Sequence, residues 1–173
     1  MSEAVVVSDA LADLVAAGFT LDQGSLETIF IRPETETREE LQEATLSKAE
    51  GVVGDRWKTN DPRTQITLMN VKVLDCVCDG DRSRWELAGD QLIVDLDLSV
   101  ENLPVGQRLE IGETTVEVTE VPHTGCKKFV ARYGAEALDY INAEERANLR
   151  LRGVYVMVIE EGVVKAGDTI EKL

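Results

Sequence analysis

The chain has 173 residues, 43% hydrophobic and 29% charged, which fits one globular domain with length enough to bury a core. Its net charge of −15 argues against general nucleic-acid binding, which needs a phosphate-neutralising basic surface. No apolar run reaches the ~18 residues of a membrane span, and the three cysteines, an odd number, argue against a disulfide framework and place the protein in a reducing cytoplasm.

In chain order, residues 8–17 read as an amphipathic helix with Leu11, Leu14 and Val15 on one stripe and Gly18 as its stop. This helix belongs to an N-terminal helical extension over residues 1–23, ahead of a β domain over residues 24–173. Ser25 to Ile31 is a strand with apolar residues on both faces: Leu26, Thr28 and Phe30 on one, Ile29 and Ile31 on the other. Residues 33–40 fit helix and loop equally, and Leu41 to Leu46 is a further strand candidate. Gly51 and Gly54 frame a turn that leaves through Asp55-Arg56-Trp57. Arg56 either grips a phosphate or carboxylate with its forked guanidinium or pairs with Asp55 and ties the turn.

Gln65 to Met69 is a short strand, and Asn70 can cap a helix through Val71, Val73, Leu74 and Val77 that Gly80 ends. Cys76 and Cys78 on that helix point about 200° apart, which suits packing better than shared metal ligation. Residues 84–112 read as β structure with turns. From Leu92 the alternate positions Val94, Leu96 and Leu98 are apolar, with Asp95 and Asp97 on the solvent face. Gly112-Glu113 turns Arg108–Ile111 into Thr114–Glu120. After the cysteine segment and its helix, a second helix covers Ala135 to Ile141. Val154 to Ile159 is a central strand, and two short strands close the chain. Many short strands punctuated by glycine, with few helices, predict a mainly β fold with small helices, arranged as one barrel.

The stretch Val121 to Phe129 concentrates the chemistry. It holds the sole histidine, His123, and the cysteine best placed to react, Cys126. Thr124 is placed to cap a helix and Gly125 to let the backbone turn or approach a ligand. Cys126 then falls in the first helical turn beside Lys127 and Lys128, where positive charge favours thiolate over thiol. Such a thiolate can hold an electrophile, a soft metal or a transferable sulfur next to an anion. The alternative is that Cys126 packs inward with Phe129 and Val130, and that His123 is an ordinary loop residue. Residues 122–152 carry six basic against four acidic side chains in an otherwise acidic protein, which suits a small anionic ligand.

Several segments, taken in order, resemble the MOSC domain, the C-terminal domain of molybdenum cofactor sulfurases that also occurs in amidoxime reductases and in stand-alone bacterial proteins. They are Gly51-Val52-Val53-Gly54-Asp55-Arg56-Trp57, Asn102-Leu103-Pro104-Val105-Gly106, Val116 to Thr119, Pro122 to Cys126 with Lys128-Phe129, and Arg150 to Tyr155. The resemblance implies a β-barrel of the pyruvate-kinase barrel type and a cysteine, here Cys126, that carries sulfur or ligates molybdenum. It implies molybdenum cofactor (molybdopterin) as the ligand, with Arg56 contacting it and Thr124 and Gly125 nearby. Charge and position add Lys127, Lys128 and Arg152 to that pocket, with His123 as a proton relay. Two segments depart from the stand-alone pattern: Gly-Glu-Asn-Leu is here Gly89-Asp90-Gln91-Leu92, and Pro-Arg-x-Pro-Cys is here Pro122-His123-Thr124-Gly125-Cys126. No pyridoxal-phosphate site is evident, so sulfur has to come from a partner such as a cysteine desulfurase. A reductase of N-hydroxylated compounds, the alternative activity, requires an electron-donor protein. The non-enzymatic alternative is a barrel that binds a small anion.

Overall fold

A computed structural model of the chain describes residues 6–57 and 61–173, so the first five residues of the N-terminal extension lie outside the described residues. Helix α1 (Val7–Ala17) leads into strands β1 (Gln23–Ile31), β2 (Glu39–Leu41), β3 (Glu43–Ser47) and β4 (Gly51–Val52). Strand β5 (Ile66–Asn70) runs directly into helix α2 (Val71–Val77), and β6 (Leu92–Asp95), β7 (Arg108–Ile111) and β8 (Thr114–Val118) follow. Helices α3 (Lys127–Tyr133) and α4 (Ala135–Asn142) precede β9 (Val154–Glu160), β10 (Gly162–Lys165) and β11 (Thr169–Lys172). Short 3-10 helices cover Pro62–Thr64, Arg82–Ala88 and Glu144–Leu149.

Seven strands close a barrel in the order β11-β7-β8-β9-β5-β6-β1, with β1 pairing back onto β11. Closure leaves the ring without a free edge. β5 and β6 are its parallel neighbours, and parallel strands need a crossover, which α2 and the 3-10 helix Arg82–Ala88 supply. Asn70 starts that crossover: its Oδ1 accepts from the amides of Lys72 and Val73 at 2.8 and 3.3 Å. β10, β3 and β4 form a separate small sheet whose Leu46, Val52 and Val164 join the apolar interior of the barrel.

Two cores explain the strands that are apolar on both faces. Ile29, Leu68, Val94 and Val156 fill the barrel. Phe30, Met69 and Ile93, from the other face of β1, β5 and β6, pack with Leu74, Phe129 and Ile141 of the helices. Leu26 belongs to the barrel interior with Ile29 and Ile31, not with Phe30 as strict alternation predicts. The pairing of β1 with β6 slips between Leu26 and Thr28, and this bulge moves Leu26 to the inner face. The helix of the N-terminal segment is packed against α2 and α4, with Leu11 fully buried. Residues 84–88, which the sequence pattern assigns to β structure, lie in the 3-10 helix Arg82–Ala88, and the regular strand ends at Asp95 although Leu96 and Leu98 stay in the core.

Candidate functional site

Four segments bring cations to one cavity of about 150 Å³. The loop after β1 supplies Arg32 and Arg38, the exit of β4 supplies Arg56, the cysteine segment with α3 supplies Lys128 and Arg132, and the loop entering β9 supplies Arg152. Cys126 lines the same cavity and is exposed. The cavity sits where the barrel wall meets the helical layer, since Phe129 and Ala88 of the helix-side core also line it.

Of the two readings of Arg56, the pair with Asp55 does not form. The fully buried Asp55 carboxylate binds Arg32 instead, at 2.7 Å to its amide and at 3.1 and 2.8 Å to its guanidinium Nε and Nη2. Asp55 also accepts from the amide of Trp57 and from Gln91 Nε2, and the Gln91 Oε1 in turn accepts from the amide and hydroxyl of Thr67. Burial disfavours the Asp55 charge, but the Arg32 hydrogen bonds and charge outweigh it and hold its carboxyl below the usual range. Arg56, whose amide donates to the Arg32 carbonyl at 2.8 Å, keeps its guanidinium for the cavity. The Nε atoms of Arg38 and Arg56 are both buried with no hydrogen-bond partner among the described residues.

Asp90 is the second buried carboxylate, with a side chain 1% exposed. Its Oδ2 accepts from Arg152 Nη1 at 2.7 Å and its Oδ1 lies 3.2 Å from His123 Nε2. Burial opposes its charge, but Arg152 and His123 together keep the carboxyl well below the usual range. Arg32 and Arg152 are thus neutralised, whereas Arg38, Arg56, Lys128 and Arg132 have no carboxylate partner within salt-bridge distance among the described residues. Burial and then the charges of Arg132, Arg32 and Arg56 lower the basicity of Arg38, as expected where cations converge without enough counter-charge.

Cys126, not Thr124, is the residue that precedes the helix: its φ of −128° and ψ of −174° are extended, and α3 begins at Lys127. Slight burial raises the thiol, but the amides of Lys128 and Phe129 and the charges of Arg152 and Lys128 outweigh it and bring it below the ordinary thiol range. Burial pushes Cys78 up to about 11, and burial with Asp75 and Asp79 also raises Cys76. Alkylation mapped by mass spectrometry is therefore expected to label Cys126 first at neutral pH, with a pH midpoint below 9.0. Faster labelling of Cys76 or Cys78 would contradict this.

Gly125 serves packing. A Cβ there would lie 2.3 Å from Leu138 Cδ1, and its backbone N–H and C=O pair with the Asn142 amide at 3.1 Å each. α4 thereby clasps the loop one residue before the thiol. Gly153, at φ 115°, lets β9 begin directly behind Arg152; a Cβ would meet the Leu68 carbonyl at 2.4 Å. Gly153→Ala is expected to cost about 1–3 kcal/mol in urea unfolding, through clash and strain on rigid backbone. His123 and Thr124 line an adjoining cavity of about 270 Å³ with Val121, Ile141 and Leu151, which shares Arg152 with the first. Lys127 is exposed and does not line the cation cavity.

Sequence reasoning missed Arg38, Arg132 and Asp90 as site residues and gave Arg32 no role. Arg38 sits in a segment that is acidic on average. Asp90-Gln91 departs from Glu-Asn, yet acid followed by amide is the signal: both are buried and both bond across the site.

The closed seven-stranded barrel with a helical flank and a cysteine among arginines defines the class. The family model of the MOSC domain matches residues 79–171, more than half of the chain, and the chain belongs to that family. Among solved structures it is similar to the YuaD protein from Bacillus subtilis, with 17% identity, TM-score 0.63, and coverage of 90% of this chain and 98% of that one. It is also similar to YiiM from Escherichia coli, at 18% identity and TM-score 0.56 over 87% of this chain and 68% of that one. YiiM from Geobacillus stearothermophilus matches at 13% identity and TM-score 0.60 over 87% and 75%. At these identities the likeness is one of fold. No curated protein matches the chain by sequence. Among the described residues no helix is long and apolar enough to cross a membrane, and no group of three or more His, Cys, Asp or Glu could hold a metal.

Proposed function

We propose that the cation cavity holds the phosphate-bearing end of a molybdenum–pterin cofactor, with Cys126 as the single soft ligand or as the carrier of a transferable sulfur. The observation that carries this reading is the company of the thiol: in a protein of net charge −15, an exposed, acidified cysteine shares a cavity with four cations that have no carboxylate partner among the described residues. The residues fit the group. The buried Nε atoms of Arg38 and Arg56 await acceptors, and guanidinium forks match phosphate oxygens. A lone thiolate suits a metal whose other ligands come from its own cofactor. Arg38, Arg56, Arg132 and Lys128 would hold the phosphate, and Cys126 would face the soft end. When bound, the cofactor supplies redox chemistry at molybdenum. The chain's own part is to orient the anion, shift the thiol toward thiolate and hold a proton at His123. A thiol used in this way needs a reducing compartment, which assigns the protein to the cytoplasm.

Protein purified from a molybdenum-replete host tests this by metal analysis and intact mass. Stoichiometric molybdenum, lost in Cys126→Ala, supports the ligand role and a reductase that draws on an electron-donor protein. A persulfide on Cys126 supports sulfur carriage with a desulfurase partner. Absence of both overturns the reading and leaves an anion-binding barrel.

A further inference from the structure

His123, Asp90 and Arg152 form one buried chain of contacts beside the cavity. The Asp90 side chain is 1% exposed, that of Arg152 11% and that of His123 12%. The His123 ring is held on two sides. Its Nε2 faces Asp90 Oδ1 at 3.2 Å, and its centroid lies 4.7 Å from that of the Tyr155 ring, tilted by 51°. Its Nδ1 makes no hydrogen bond to any described residue. We propose that Asp90 is a positioning residue that locks His123 in the Nε2–H tautomer, leaving Nδ1 as the proton acceptor for a ligand N–H or O–H in the adjoining cavity that His123 lines.

Arg152 donates to Asp90 Oδ2 and to the Ala88 carbonyl, so it keeps Asp90 an ionised acceptor with no proton to give. A carboxylate that only accepts requires a donor opposite it, so the proton of the neutral ring must lie on Nε2. Nδ1 then carries the lone pair. If a ligand proton moves to Nδ1, the ring becomes imidazolium with its charge set against Asp90, and the ligand keeps the electron pair. The charged groups that face His123 are Asp90 before β6, Arg152 before β9 and Arg32 after β1, and the titratable phenol of Tyr155 on β9 lies beside it. Burial with the Arg152 and Arg32 charges outweighs Asp90 and favours the neutral ring.

This inference rests on the proposed site only for its use; the tautomer itself is independent of molybdenum or sulfur. His123 is the sole histidine, so a long-range proton–nitrogen NMR spectrum of the ¹⁵N-labelled full chain contains one imidazole. At pH 7 the expected spectrum has a protonated Nε2 and an unprotonated Nδ1, with a transition on acidification centred below 6.5. Asp90→Asn, which keeps the shape but not the charge, is expected to give an averaged pair of nitrogen shifts, whereas a merely structural role for Asp90 would leave the tautomer unmoved in the folded variant. If Asp90→Asn does not fold, the wild-type spectrum alone decides. A protonated Nδ1, or averaged shifts like those of free histidine, would overturn the assignment.

Discussion

Asp90→Ala is expected to lower folding stability by about 3–5 kcal/mol, the range seen when one partner of a buried ion pair is removed. The cost comes from what remains. Arg152 has a side chain only 11% exposed, and without Asp90 its Nη1 keeps a Met69 sulfur at 3.9 Å while Nη2 keeps the Ala88 carbonyl. The guanidinium charge is then buried without its counter-charge. Urea unfolding of wild type and variant checks the figure. The same pair sets a pH dependence. Burial opposes the Asp90 charge, Arg152 and His123 overcome it, and the folded carboxyl lies below its ordinary 3.8. Its contribution is therefore complete above about that value and is lost as pH falls below it. Asp55, lowered by Arg32 against its own burial, acts in the same direction. Unfolding midpoints measured from pH 6 downward are expected to fall most steeply below 3.8 in wild type and less steeply in Asp90→Ala.

Cys126→Ser is expected to show the opposite profile: complete loss of bound molybdenum or persulfide with stability within about 0.5 kcal/mol of wild type, as for surface positions without packing. Cys126 is exposed and belongs to neither apolar core, so exchanging sulfur for oxygen removes softness and nucleophilicity and little else. Metal analysis and intact mass give the first quantity and urea unfolding the second. A variant that loses several kcal/mol would mean that the cysteine is structural, the alternative that the sequence left open.

Much of the barrel was legible because its signals are local. Asn70 announces α2, Gly112-Glu113 announces the β7–β8 turn, and Val154 to Ile159 reads as a covered strand. What escaped depended on contacts between distant segments. Strict alternation cannot foresee the bulge after Leu26, because it arises from how β1 meets β6. Adjacency in sequence suggested that Asp55 holds Arg56. Yet Asp55 lies against Arg32, 23 positions away, and that exchange frees Arg56 for the cavity. Cys126 and Arg56 carried signals of their own, a cysteine beside lysines and an arginine after paired glycines. Arg38 and Arg132 carried none, since an isolated arginine in a charged segment looks like any solvated side chain. Only the fold gathers them.

Arg56 and Cys126 line one cavity and are expected to act on the same bound anion. The most direct test is the rate of Cys126 alkylation by neutral iodoacetamide as inorganic phosphate is added, in wild type and in Arg56→Ala, at constant ionic strength. Phosphate held by the cations would crowd the thiolate and raise its basicity, so the wild-type rate is expected to fall saturably, and the effect to weaken at least several-fold in Arg56→Ala. A rate indifferent to phosphate in wild type, or protection that is equal in both proteins, would contradict the shared site.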